Sequence, residues 1–309
     1  MPHATKIKVL RVVALVGLAV YLWSVQAMMG IRGEHLLLAS IYLALVLKGG
    51  KAFRFLGLFL PVVLTGITYE YFRLLKGFRL EIHVADLYNA ELAWFGIGGK
   101  VPADWFLNHT HPFLDLVCGL AYILYLFIPM VAAIALFFID QRRMLHVGLA
   151  FLAANFIGMA IYLLYPAAPP WYVAQYGLGP ARLDAIPSAA GAVRFDQLLG
   201  IDYFTTFYSR SANVFGAMPS LHVGYPTSTA FALAPLGRKW WLPVAIFVAV
   251  VGFAAVYLQH HYVWDVVAGL LVGATAGSSM KAVAARLVPA RTASVAAEAP
   301  EEGKEAALA

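Results

Sequence analysis

The stretch Val248-Ala249-Val250-Val251-Gly252-Phe253-Ala254-Ala255-Val256-Tyr257-Leu258-Gln259-His260-His261-Tyr262-Val263-Trp264-Asp265 decides the fold. It closes an apolar run over 241–259 and opens another over 265–280, with two histidines and an aspartate at the seam. Apolar runs of this length read as membrane-spanning helices, and the seam then lies at a membrane surface. His261 and Asp265 are four residues apart, so a helix here puts them on one face. A carboxylate so placed can hold one imidazole nitrogen and leave the other as a lone pair of raised basicity. That is the orienter–base arrangement of an activated nucleophile.

The rest of the chain repeats the apolar pattern. Of its 309 residues 62% are hydrophobic and 12% charged, and the mean hydropathy is +0.77; soluble domains carry about 45–50% and about 25%. One soluble core of this size cannot hide so much apolar surface, and disorder is excluded for the bulk of the chain. The composition predicts an all-α polytopic membrane bundle. Apolar runs near 12–29, 36–47, 55–75, 113–139, 144–165, 221–237, 241–259 and 265–280 predict eight spans. The second is short and is retained because the charge pattern requires it. No phosphate-binding loop or dinucleotide fingerprint occurs, and the single cysteine, Cys118, excludes an intramolecular disulfide.

Alternate loops separate the charges. One set holds 14 basic and 5 acidic residues, the other 8 and 11. The positive-inside rule therefore predicts both termini in the cytoplasm, and the net charge of +6 reflects topology rather than a nucleic-acid partner. The expected organisation is two accessory spans over 1–54, a six-helix catalytic core over 55–285 and a disordered cytoplasmic tail over 286–309. A cleaved signal peptide is the alternative for the first run. Two long segments, 76–112 and 166–220, fall outside.

A second stretch also lands on the outer side: Phe215-Gly216-Ala217-Met218-Pro219-Ser220-Leu221-His222. Pro219 suits the first turn of a helix. Ser220 and His222 then stand at a helix N-terminus, where free amides and the dipole favour an anion. With His261 this makes a two-histidine phosphoryl-transfer site. One imidazole attacks phosphorus, and the other protonates the leaving oxygen and then deprotonates the acceptor. No metal and no cofactor is required.

These two stretches, with weaker matches at Tyr165-Pro166-Ala167-Ala168-Pro169-Pro170-Trp171-Tyr172 and His83-Val84-Ala85-Asp86-Leu87-Tyr88, resemble the type-2 phosphatidic acid phosphatase superfamily, and within it the fungal inositol phosphorylceramide synthase branch and its bacterial relatives. The resemblance implies that His261 is the nucleophile, Asp265 its orienter, His222 the acid/base and Ser220 a phosphate ligand; His260 matches the branch without an assigned role. It implies transfer of a phosphorylated polyol headgroup from a glycerophospholipid to a lipid alcohol such as ceramide, through a phosphohistidine, on the non-cytoplasmic face. A lipid phosphate or pyrophosphate phosphatase on the same scaffold is the second reading, and a transporter without chemistry the third.

The wider phosphatase pattern carries a Lys and an Arg-Pro in its first motif and a Ser-Arg before the nucleophile. Here the corresponding positions are Tyr165–Trp171 and Ala254-Ala255, without cations. A phosphodiester, with about one negative charge, needs fewer cations than a monoester dianion. Arg210 is the first candidate to supply the missing cation, ahead of Arg182 and Arg194. Glu70 and Arg73 read as an internal ion pair, with substrate contact as the alternative. Trp171, Tyr172, Tyr176, Tyr203 and Tyr208 read as an interfacial aromatic belt rather than a binding box.

Overall fold

The computed structural model describes residues 3–210 and 213–289. They form fourteen α-helices: α1 (His3–Met28), α2 (Gly33–Lys48), α3 (Gly50–Tyr71), α4 (Ala85–Phe95), α5 (Pro102–Trp105), α6 (Pro112–Leu124), α7 (Phe127–Ile139), α8 (Gln141–Leu164), α9 (Pro170–Tyr176), α10 (Val193–Leu199), α11 (Tyr203–Ser209), α12 (Leu221–Leu233), α13 (Arg238–Tyr257) and α14 (Val263–Leu287). No β-strand occurs among the described residues, so the chain is an all-α membrane bundle, as expected. Most of the expected 286–309 tail lies outside the described residues.

Each of the eight apolar runs becomes helix, but not every helix alone matches the thickness of a hydrocarbon core. Five described helices are long and apolar enough to cross a membrane, and α6 with α7 makes a sixth if counted as one bent span. At 1.5 Å per residue, the 16 residues of α2 reach about 24 Å and the 13 of α12 about 20 Å, short of a ~30 Å hydrocarbon core. The fourth run breaks at Tyr125-Leu126, where α6 and α7 meet at 52°. Pro129, three residues into α7, explains the break: it donates no amide hydrogen, and its ring clashes with the carbonyl of Tyr125 if the helix continues.

α12 is the centre of the bundle. It is buried nearly all round, against α8, α13 and α14. Its seam with α14 is lined by glycines four residues apart. A Cβ on Gly269 would stand 2.3 Å from the Ser220 carbonyl oxygen, one on Gly273 2.5 Å from that of Gly224, and one on Gly277 2.5 Å from Phe231 Cβ. Small residues at this spacing let two helix backbones approach closely where apolar burial gives no net drive. The approach brings the N-termini of α12 and α14 side by side, and these ends carry the two motifs. Large apolar side chains face outward along α1, α2 and α7, including Trp23, Leu37 and Phe138, as a lipid-facing surface requires.

Candidate active site

The turn between α13 and α14 presents the histidine pair. Gln259 takes a left-handed φ of +64° just past the end of α13. The amides of His260 and His261 both donate to the Ala255 carbonyl, at 3.1 and 3.0 Å. The chain then reverses, and α14 begins at Val263 with Tyr262 as N-cap and Asp265 at its third position. His261 therefore precedes the helix instead of sharing a helical face with Asp265. The two still meet, with Asp265 Oδ2 3.5 Å from His261 Nδ1. The shorter contact of that nitrogen is the Ala217 carbonyl, at 2.7 Å. Asp265 spends its closest approach on the Tyr262 amide, also at 2.7 Å.

α12 begins later than Pro219 predicts. Its first residue is Leu221 and its N-cap Ser220. The chain before it is held extended: Ala217 N donates to Ala167 O, and the Tyr162 hydroxyl donates to Pro219 O at 2.9 Å. Residues 83, 167 and 216 lie edge to edge as two parallel bridges. The three segments with family-like motifs thus meet through their backbones, and the last presents the Ala217 carbonyl to His261. Ser220 donates its amide to the Asp265 carbonyl at 2.9 Å. Its hydroxyl is buried and has no partner among the described residues.

His222, the second residue of α12, faces His261 across the seam. Its Nδ1 lies 3.2 Å from His261 Nε2. A carbonyl can only accept, so His261 Nδ1 carries the hydrogen given to Ala217, and its Nε2 is left with a lone pair aimed at His222. Both rings of the sequence-predicted pair are therefore in one pocket, with the ionisable atoms in contact.

Aromatic rings wall this pocket. Tyr208, His260, Tyr122, His222, Tyr125 and Tyr225 follow one another with centroid spacings of 4.4, 5.4, 4.1, 4.2 and 6.2 Å. Tyr122 and Tyr125 reach His222 because the Pro129 break ends α6 there. His260 lies within this wall and hydrogen-bonds the Ala189 carbonyl. Burial, then the neighbouring His261, push its imidazole down to about 3, so it is neutral at physiological pH and supplies no phosphate-binding cation. Trp171 and Tyr208 line the chamber with the histidines. The expected aromatic belt thus contributes two of its rings to the wall of this chamber.

The three candidate arginines separate. Arg182 pairs with Asp184 at the surface, and Arg194 binds the buried Asp115 at 2.6 Å. Arg210 lines a cavity of about 650 Å³ that His222 also lines, and Arg73 lines the same cavity. The expected Glu70–Arg73 pair is absent among the described residues. The Glu70 carboxylate is taken by Arg32 and by His35, the latter at 3.0 Å, and Arg73 Nε reaches only the Glu70 carbonyl.

One carboxylate with no motif of its own completes the site. Glu91 of α4 is fully buried and accepts from the amides of Val263, at 2.8 Å, and Trp264, at 3.3 Å. With Asp265 on Tyr262, carboxylates take the first three amides after His261. This anchors the helix end that carries the candidate nucleophile. Burial pushes Glu91 up to about 7.

The family model matching residues 87–278, well over half the chain, is that of the PAP2 superfamily. The chain belongs to this superfamily. Among its relatives are the phosphoinositol dihydroceramide synthase of Bacteroides thetaiotaomicron, 36% identical over 265 residues that cover 83% of this chain and 86% of that protein, and the inositol phosphorylceramide synthase of Candida albicans, 35% identical over 52% of this chain and 35% of the relative. The catalytic subunit of the Saccharomyces cerevisiae inositol phosphorylceramide synthase is 37% identical over 54% of this chain and 42% of its own length. No solved structure is a significant match. The chain is thus a PAP2 phosphotransferase of the inositol phosphorylceramide synthase-like branch.

Proposed function

We propose that this PAP2 enzyme moves a phosphoinositol-like headgroup from a glycerophospholipid to a ceramide-like lipid alcohol. The observation that carries the reading is the 3.2 Å approach of His222 Nδ1 to His261 Nε2, with His261 Nδ1 committed to Ala217. One ring then has a fixed nucleophilic nitrogen, and the other stands where a leaving oxygen must receive its proton. The relatives named for phosphoinositol transfer to ceramides supply the substrate class.

The mechanism has two displacements. The His222–His261 contact parts as phosphorus enters, and His261 Nε2 attacks it. The phosphorus–oxygen bond to diacylglycerol breaks, and protonated His222 gives its proton to the departing oxygen. The headgroup phosphate stays on His261, while Ala217 and Asp265 steady the charged ring. The primary hydroxyl of the ceramide-like acceptor then loses its proton to His222 and attacks phosphorus, and the phosphorus–nitrogen bond breaks. The Ser220 hydroxyl and the N-terminus of α12 face the phosphoryl oxygens. Arg210 supplies a positive charge in the adjoining cavity.

The site opens on the non-cytoplasmic leaflet in this reading. What supports this is that α3, α8 and α13 begin beside the basic residues Lys51, Arg54, Arg142, Arg143, Arg238 and Lys239 and run toward the site end, since basic residues favour the cytoplasmic face. The test is incubation of the purified protein with headgroup-labelled phosphatidylinositol, with and without ceramide. A labelled sphingolipid formed only with ceramide supports the reading. Free inositol phosphate regardless of ceramide makes the enzyme a hydrolase.

A further inference from the structure

Four tyrosines, Tyr69, Tyr125, Tyr208 and Tyr225, line both the histidine chamber and the larger outer cavity. Tyr69 comes from the outer end of α3, Tyr125 from the break between α6 and α7, and Tyr208 from α11. His222 lines both spaces as well. Of the four tyrosines Tyr225 donates to Asn155, and Tyr162, which lines the chamber alone, donates to Pro219; the partnerless hydroxyl of Tyr122 lines neither space, and Tyr203 lines the outer cavity alone. The hydroxyls of Tyr69, Tyr125 and Tyr208 have no partner among the described residues. Arg73, Arg210, Glu34 and Asp202 line the outer cavity with them.

An acyl chain is a poor occupant of such a space. Covering three unpaired hydroxyls with hydrocarbon costs their hydration without return. A compact anion alone would use the arginines and leave the phenols idle. A ring polyol fits both features. Each of its hydroxyls donates and accepts, as each phenol does, and its C–H face can lie against the aromatic column that runs from Tyr208 through His222 to Tyr125. The polyol then occupies the boundary, and its phosphate reaches the histidines.

We infer that Tyr69, Tyr125 and Tyr208 form the subsite that reads the hydroxyls of the donor's polyol headgroup. The inference rests on the headgroup-transfer reading above and adds the residues that select the headgroup. Its test uses inhibition of phosphatidylinositol-to-ceramide transfer by two soluble probes, inositol 1-phosphate and glycerol 1-phosphate, in the wild type and in Tyr69→Phe, Tyr125→Phe and Tyr208→Phe. The wild type is expected to be inhibited more strongly by the inositol compound. Each substitution removes one hydroxyl, so the ratio of the two inhibition constants should shrink about three- to tenfold in at least two of the variants. Thermal stabilisation of the same proteins by the two probes gives the same comparison should a variant lose turnover. Ratios that stay at the wild-type value in all three variants overturn the subsite and leave the transferase standing. A wild type that forms no inositol-bearing sphingolipid overturns both.

Discussion

The carbonyl oxygen of Ala217 accepts a hydrogen bond from His261 Nδ1 at 2.7 Å. It stands nearer than the carboxylate of Asp265, at 3.5 Å. The backbone of the segment leading into α12 thus fixes the tautomer of the candidate nucleophile, and Asp265 contributes charge and a helix cap. Replacing Asp265 by Asn should therefore leave the ring oriented and weaken only the stabilisation of its charged form. Transfer by Asp265→Asn is expected to fall about 10²-fold, within the range for a positioned acid–base group, whereas His261→Ala falls below detection. Initial rates of labelled-lipid formation decide it. A Asp265→Asn variant as inactive as His261→Ala would show that the carboxylate, not the carbonyl, fixes the ring.

Glu91 should make stability depend on pH. Its ordinary value of 4.5 is raised to about 7 by burial, so the folded chain holds a proton that the unfolded chain has released between those values. Stability is then greatest below about 4.5, declines as pH rises toward 7, and is level above, with a span on the order of 3 kcal/mol. Glu91→Gln cannot ionise and should flatten that part of the profile while keeping one amide acceptor. Melting in detergent from pH 4.5 to 8 measures both. Glu91→Ala frees the amides of Val263 and Trp264 and should lower transfer about fivefold, in line with the ~1 kcal/mol of a lost helix cap. An activity loss in Glu91→Ala matched fully by Glu91→Gln would assign the effect to charge rather than to capping.

The α12–α14 seam should tolerate no side chain at Gly273. A Cβ there would come within 2.5 Å of the Gly224 carbonyl oxygen and 2.6 Å of Thr227 Cβ, and neither is the end of a flexible side chain. Gly273→Ala should push the helices apart and lower the Tm by several degrees. Because His222 and His261 face each other across the same seam, transfer should fall by more than tenfold in protein that remains folded. An equal substitution at Gly57, whose Cβ would meet nothing within 4 Å, is the control and should leave both measurements near wild type.

The parts of this architecture that rest on local pattern were legible in the sequence. Apolar runs gave the helices, and the two motifs gave His222, Ser220 and His261, because a few neighbouring residues carry that chemistry. What depends on the path of the chain was not. Asp265 could be paired with His261 by spacing, but the reversal at Gln259 that takes His261 off the helix has no pattern of its own. The Ala217 carbonyl is a backbone atom, and any residue type would supply it. Glu91 lies 172 residues before Val263, so only the folded bundle joins them. Glu70 and Arg73 read in the sequence as an ion pair near one end of the third apolar run, yet Arg32 and His35, brought in by the loop before α2 and by α2 itself, reach the carboxylate first.

That last difference leaves Arg73 without a carboxylate ion pair among the described residues, in a cavity lined also by Arg210, His222, Glu34, Glu70 and Asp202, and it changes what removal of either arginine should do. If both attract the single negative charge of a phosphodiester, they act on binding more than on the chemical step. Arg210→Ala and Arg73→Ala should each raise KM for phosphatidylinositol about three- to tenfold with a smaller change in kcat, since an ion contact partly open to water is worth roughly 1 kcal/mol. Arg182, paired with Asp184 at the surface, should tolerate Ala within about twofold. Arg194→Ala behaves differently again: it strands the buried carboxylate of Asp115, so the loss appears in Tm rather than in KM. Steady-state kinetics on mixed vesicles, with melting curves alongside, separate the four. A fall in kcat for Arg210→Ala as deep as that for His222→Ala, at unchanged KM, would move Arg210 from the entrance to the transition state.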